Sequence, residues 1–395
     1  MNSSAMRSDT ALWADFQILC DFGGRLSGTS SESAAMDWLR TRGAEVCGVA
    51  CRDIPVSYKG WRALHTRLTL AGGYEARCHP LVRTVGTEPG GLTAEVIDLG
   101  RGTPEEFEAH RAEIAGRIVL VRHELMFAAG TIHRRRKYDL AREMGAVGFL
   151  IAGPTQGDVV AGSSGRVGDA GIPALGIAPE TAARLARTAH GWPSATLDIA
   201  IEESQAETAS LVFDLPGLTD EWVVLCAHVD GHDLAESAMD NASGVAAALA
   251  AARAVAPRVP RMRRGLRLAF FSVEEWALTG SAQYVEAMDE ATRKSIAIVI
   301  NLDSVGGSPR LSALTSGFAG LEPFLLKTAE AHGHSLRCVR PLMVNSDHAN
   351  FALAGIPAFR LVAGFDDPAS NLRLVLTSAD TRDKVAQAEL AAAAD

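Results

Sequence analysis

Cysteine is scarce in this chain, with six among 395 residues: Cys20, Cys47, Cys51, Cys78, Cys226 and Cys338. They are too scattered for a disulfide framework, and no Cys-x-x-Cys pair offers a zinc or redox site. Dispersed thiols of this kind fit a reducing, cytoplasmic setting. Long apolar runs are missing as well. None approaches the ~20 residues that a membrane helix needs. Residues 1–13 lack the basic stretch and apolar core of a signal peptide, so no membrane partner is expected. Basic residues are the minority, 38 Lys and Arg against 47 Asp and Glu, for a net charge of −9. That balance argues against a phosphate-backbone binder and hence against a nucleic-acid partner. The one dense basic run, Arg134-Arg135-Arg136-Lys137, reads as a solvated helix face.

Several catalytic signatures are absent too. His123-Glu124 is followed by Leu125, Met126 and Phe127, so there is no His-Glu-x-x-His helix. No Gly-x-Ser-x-Gly elbow supports a serine hydrolase. No Gly-x-x-x-x-Gly-Lys loop cradles a phosphate, and residues 162–168 read as a flexible glycine-rich loop.

What is present is an ordinary globular composition, 47% hydrophobic and 22% charged, and a length that suits two domains. Residues 12–46 read as mostly helix, broken at Gly23–Thr29, with Ser30 and Ser31 placed as caps. From about Arg62 the texture becomes short apolar stretches with turns (68–70, 94–99, 118–121, 147–151), with helical pieces at 104–114 and 134–144. This unit ends near Glu203. After it the pattern is regular. Strands are expected at 209–215, 222–227, 266–272, 296–302 and 358–362, and helices at 244–255, 280–286 and 322–332. Such alternation predicts an α/β fold: a mixed, largely parallel sheet covered by helices on both faces. In such sheets the chemistry sits beyond the carboxyl ends of the strands.

The acids and histidines fall at those ends. Strand 222–227 runs into His228-Val229-Asp230-Gly231-His232. The next element opens with Asp240-Asn241-Ala242-Ser243-Gly244. Strand 266–272 leads to Glu274-Glu275, and strand 296–302 leads to Asp303. Later comes Ser346-Asp347-His348. His, Asp and Glu together are a ligand set for zinc. A carboxylate can also bridge two metals in a hydrolytic site. On an extended strand Asp230 would share a side with His228 and buttress its imidazole. Taken singly, Asp240 would be a turn residue, Glu274-Glu275 an exposed pair and His232 a loop histidine.

In that order and approximate spacing, these motifs resemble the co-catalytic zinc aminopeptidases and glutamate carboxypeptidases of metallopeptidase family 28. Residues 115–121, 141–148 and 172–175 resemble the protease-associated domain inserted in many of these proteins. The opening Gly24-Arg25-Leu26-Ser27-Gly28 is similar to the family's start. The resemblance implies a catalytic domain at 1–75 and 205–395 with an insert at 76–204. It implies that Asp240 bridges two metals, that His228 and Asp303 complete one, and that Glu275 binds the other. Glu274 would be the general base and Asp230 would orient His228. One or two divalent ions, zinc first, are the expected cofactor. One position departs from the family: Leu376 stands where it has a histidine before Thr377-Ser378-Ala379-Asp380-Thr381. Leucine cannot bind zinc. His348 is then either a replacement ligand or a group touching substrate or ligands, and His232 is a weaker substitute.

The expected function is metal-dependent hydrolysis of a peptide or amide bond, aminopeptidase- or dipeptidase-like, on a small substrate, with a homo-oligomer possible. Rival readings are hydrolysis of a small non-peptide amide and a catalytically altered or non-enzymatic relative. The charged face from His133 to Lys137 would suit a substrate carboxylate.

Overall fold

The computed structural model describes residues 10–395 except 127, 129 and 190. The chain divides into two units. The first holds the residues up to Tyr58, Ala206–Val375 and Asp380–Asp395; the second holds Lys59–Gln205 and Leu376–Ala379. The long strand Arg52–Leu70 contributes to both, as does Ser194–Leu215.

In the first unit the sheet runs in the order Leu336–Val339, Leu311–Leu314, Ala358–Ala363, Ile296–Leu302, Trp222–His228, Gly265–Phe271 and the 206–215 part of Ser194–Leu215. The four strands from Ala358–Ala363 to Gly265–Phe271 are parallel neighbours. Val224, Cys226, Ala269, Phe271, Val299 and Ala358 anchor an apolar cluster on this sheet. Such continuous apolar runs belong to strands covered on both faces.

The helix Ser243–Val255 is small-residue rich because it sits tightly on the sheet. A Cβ at Gly244 would lie 2.2 Å from the Leu302 carbonyl oxygen, so only glycine fits. Asn241 completes that junction. Its Nδ2 donates to Leu302 O at 2.9 Å and its Oδ1 accepts from Gly244 N at 2.9 Å. The N-terminal helices are Thr10–Asp21 and Ser30–Cys47. Thr29, rather than Ser30 or Ser31, caps the second, accepting from Glu32 N at 3.3 Å. Gly48 closes it in the left-handed conformation.

The second unit has its own sheet. Leu92–Asp98, Ile118–Arg122, Gly148–Ala152 and Ala174–Ile177 are successive parallel neighbours, with Cys78–Pro80 antiparallel at one edge. Apolar clusters cover both faces, one around Leu120, Leu150 and Leu175, the other around Val121, Tyr138 and Phe149.

One expectation is overturned here. The run Arg134–Lys137 is not a solvated face. Arg134 and Lys137, three apart on the helix Arg134–Glu143, are buried, while Arg135 and Arg136 are exposed. Lys137 Nζ donates to Arg122 O at 2.9 Å and pairs with Glu124 Oε2 at 2.6 Å. A helix places residues i and i+3 on one side, so a basic run of four divides between core and solvent.

Candidate metal centre

Three side chains meet where adjacent parallel strands end. His228 closes Trp222–His228, Glu274 follows Gly265–Phe271 and Asp303 follows Ile296–Leu302. The strands are in register there, with Phe271 opposite His228 and Asn301 opposite Cys226. One ligand atom from each of the three lies within 4.8 Å of the others, and all three residues are buried. Asp240 joins them from the kinked turn Ala238–Ala242, where the Asp240–Asn241 peptide is cis. Its Oδ1 lies 3.1 Å from His228 Nε2, and Asp303 Oδ1 lies 3.5 Å from the same nitrogen.

A shell of hydrogen bonds fixes this cluster. His228 Nδ1 faces the backbone carbonyl of Asp230 at 2.9 Å, which leaves Nε2 to point at the carboxylates. The Asp230 carboxylate is 4.0 Å from that ring and has another task. It accepts from Glu274 N at 3.0 Å, from Glu275 N at 3.1 Å and from Ser27 Oγ at 3.1 Å. Asp230 therefore orients the imidazole through its carbonyl and holds the Glu274-Glu275 backbone through its side chain. Asp303 is gripped by Arg360, whose Nη2 lies 3.1 Å from Oδ1, and by the Ser346 hydroxyl. Asp380 holds the Asp240 turn, accepting from Met239 N at 2.7 Å and Asp240 N at 3.3 Å.

Arg25 explains the glycine-rich opening of the chain. Fully buried and with a φ of 53°, it donates to the carbonyls of Leu19, Gly23, Val229, Glu236 and Ser237. It thus ties the loop after His228 to the first helix. A Cβ at Gly24 would lie 1.8 Å from the His232 carbonyl oxygen, so the neighbouring glycine is required as well.

The electrostatics follow from packing many acids into one dry place. Burial pushes the Glu274 carboxyl well above its ordinary range, and Glu275, Asp347 and Asp303 push it further. Burial raises Asp347 and Asp380, each to about 7. Burial alone would lower His228, but Glu274, Asp303 and Asp240 outweigh it and raise its pKa. Asp303 is held below the usual carboxylate range because Arg360 and His228 outweigh its burial.

The remaining sequence candidates are placed differently. Glu275 is half-buried, and His348 opens the short helix His348–Leu353, fully buried, with neither ring nitrogen hydrogen-bonded among the described residues. Neither belongs to the close group of three. His348 is pushed down to about 3 by burial and by Arg360. His232 is also buried, its N–H donating to Ser237 Oγ at 3.1 Å. Leu376 is buried with a φ of 62°, and its carbonyl accepts from Ala161 N at 2.7 Å.

The donor set fits a divalent cation. It pairs one imidazole nitrogen, itself without a hydrogen-bond partner among the described residues, with surrounding carboxylate oxygens. Without a cation, these buried acids face too few donors. A cavity of about 560 Å³ in the same unit, walled by Val223, Leu225, Phe324 and Phe359, includes none of these residues.

Residues 210–395 match Peptidase family M28, and residues 79–185 match the PA domain. The probable lipoprotein aminopeptidase LpqL of Mycobacterium tuberculosis is 27% identical over 369 residues, 87% of this chain and 70% of that protein. Aminopeptidase YwaD of Bacillus subtilis is 29% identical over 224 residues, 56% of this chain and 46% of that one. Carboxypeptidase Q of Mus musculus is 25% identical over 231 residues, 56% of this chain and 48% of that one. The chain thus spans about half the length of the latter two. Among solved structures, a zinc aminopeptidase from Bacillus subtilis superposes with a TM-score of 0.76 at 21% identity, covering 97% of this chain and 93% of that one. A peptidase M28 precursor from Shewanella amazonensis gives 0.82 at 21%, covering 99% and 92%. These two likenesses establish the fold, including its mixed, mostly parallel sheet.

Proposed function

The chain is a peptidase of family M28 with an inserted PA domain, and from that premise we infer an aminopeptidase- or dipeptidase-like exopeptidase acting on short peptides. Metal-dependent hydrolysis of peptide bonds follows from the family; the finer assignments are our reading. The observation that carries it is the meeting of His228, Glu274 and Asp303 at three adjacent strand ends, with Asp240 beside His228.

His228, Asp240 and Asp303 would hold one tightly bound zinc. A bound zinc supplies Lewis acidity toward the scissile carbonyl and makes water more acidic. Glu274 is the general base. It takes the proton from the attacking water at its carboxylate and returns it to the leaving amine. Burial, the largest cause, raises its pKa, which strengthens it as a base for the proton it takes up. Asp230 keeps Glu274 aimed by anchoring its backbone N–H. Arg360 and Ser346 keep Asp303 ionised and in place. Glu275 would reach a second, weaker cation, because Leu376 brings no donor to complete that site. The six free cysteines support a reducing, cytoplasmic location.

The direct test is Glu274→Gln. Turnover of an aminoacyl anilide should collapse while zinc content stays at the wild-type level. Unchanged turnover would refute Glu274 as the base.

A further inference from the structure

Glu32 is a buried acid of the catalytic unit that the mechanism above does not use. It lies in the first turn of the helix Ser30–Cys47 and is 3% exposed. A glutamate at this place commonly turns back to the N–H of its own cap residue. Glu32 reaches further. Its Oε2 accepts from Gly28 N at 2.7 Å. Its Oε1 accepts from Thr208 Oγ1 at 3.2 Å and from the Ser272 hydroxyl. Donors from the opening turn, from the strand Ser194–Leu215 and from the end of Gly265–Phe271 thus converge on one carboxylate. Without them its burial would be costly.

Ser272 lies two residues before Glu274. Val273, between them, is fully buried with a φ of 59°. For a β-branched residue this conformation is an outlier, and it persists only where the surroundings over-determine it. The carbonyls on the downstream side are taken by the turn's own backbone, Val273 O by Thr279 N at 3.0 Å and Glu274 O by Leu278 N at 2.8 Å. Asp230 clamps the N–H groups of Glu274 and Glu275. The upstream hold falls to Ser272, whose N–H donates to Ser210 Oγ at 3.3 Å and whose hydroxyl donates to Glu32. The two carboxylate clamps are themselves joined. Ser27 Oγ donates to Asp230 Oδ2 at 3.1 Å, and the next residue, Gly28, donates its N–H to Glu32. Relaxing Val273 toward an ordinary φ would swing the backbone that leads to Glu274, and its carboxylate with it.

We propose that Glu32 is a positioning residue for Glu274, holding the strained turn at Val273 from its upstream side. The inference rests on Glu274 acting as the general base.

The test is kinetic, on the full chain with an aminoacyl anilide. Glu32→Gln keeps the shape of the side chain but turns one acceptor oxygen into a donor. It should lower kcat by roughly 10- to 100-fold, the cost of a small misplacement of a reacting group. KM should stay within about twofold, and zinc content should not change. Ser272→Ala removes the link itself and should do the same; it decides the matter alone if Glu32→Gln does not fold. In the Glu274→Gln background, Glu32→Gln should cost nothing further, because a residue that acts through another loses its effect once that other is gone. A merely structural role would lower the residual activity there too. A second readout is independent of turnover. Hydrogen exchange across residues 272–278, followed by mass spectrometry, should quicken at least about tenfold in both variants. Wild-type kcat in Ser272→Ala, a further loss in the Glu274→Gln background, or unchanged exchange each overturns the proposal. Collapse in Glu274→Gln beside wild-type kcat in Glu32→Gln removes the positioning role and leaves the base. Unchanged turnover in Glu274→Gln removes the base, and the role of Glu32 with it.

Discussion

The two units bury charge in opposite ways. In the inserted unit, buried ions are matched by protein partners. Lys137 pairs with Glu124, which also takes Arg101, and Arg122 pairs with Asp98. In the catalytic unit, acids gather with few cationic groups to answer them. Asp230, Asp240, Glu274, Asp303 and Asp347 are buried around one imidazole, with Arg360 as the guanidinium that pairs with Asp303. In the first arrangement the protein supplies the counter-charges itself. The second is a site prepared for a cation, because uncompensated buried carboxylates are otherwise costly.

The sharpest contrast between the units is catalytic. Glu274→Gln should lower kcat by roughly 10²- to 10⁴-fold, the range of general acid–base catalysis, with bound zinc unchanged. Next comes Lys137→Met. It leaves Glu124 with Arg101 as its remaining cationic partner and should cost about 1–3 kcal/mol of stability, read by denaturant unfolding. Pairing it with Glu124→Gln should recover much of that loss, and metal content should not move. Arg360→Met should do the converse, weakening zinc binding by roughly 10- to 100-fold, the usual effect of losing a group that orients a ligand. If Arg360→Met left zinc affinity intact, the difference drawn between the units would blur.

The smallest effect is a pH slope. Burial holds His123 of the inserted unit at about 3, with Arg134 and Lys137 adding to the shift. Unfolded, it titrates near 6.5. On acidification the unfolded chain therefore takes up the proton first. The stability is fully present above about 6.5 and is lost as pH falls, at up to about 1.4 kcal/mol per pH unit. His123→Gln should remove one proton's share of that slope between pH 6 and 4, measured by denaturant unfolding at each pH.

Much of this was legible in the sequence, because the strands that carry the site are long apolar runs ending in acids or histidine. Ile296–Leu302 falls on its expected bounds, and Trp222–His228 and Ser243–Val255 within one residue of theirs. The long strands Arg52–Leu70 and Ser194–Leu215 were not legible as such, since their exposed polar stretches carry no period-two signal. The ligand candidates stood out by type and order. Their supports did not. Arg360 lies inside an otherwise apolar strand, and that lone charge was the one available clue. Arg25 looks like a turn residue until its five carbonyl partners are seen. The division of labour in Asp230, carbonyl to His228 and carboxylate to the Glu274-Glu275 backbone, depends on how the chain bends after the strand. Spacing alone does not encode that bend.

The central claim is that a cation answers the buried acids of the catalytic unit. Elemental mass spectrometry of the purified chain, with anilide hydrolysis followed before chelation, after it and after zinc is restored, tests it most directly. The account predicts one tightly held zinc per chain, activity lost with its removal and regained on its return. A metal-free chain whose activity ignores the chelator would contradict it.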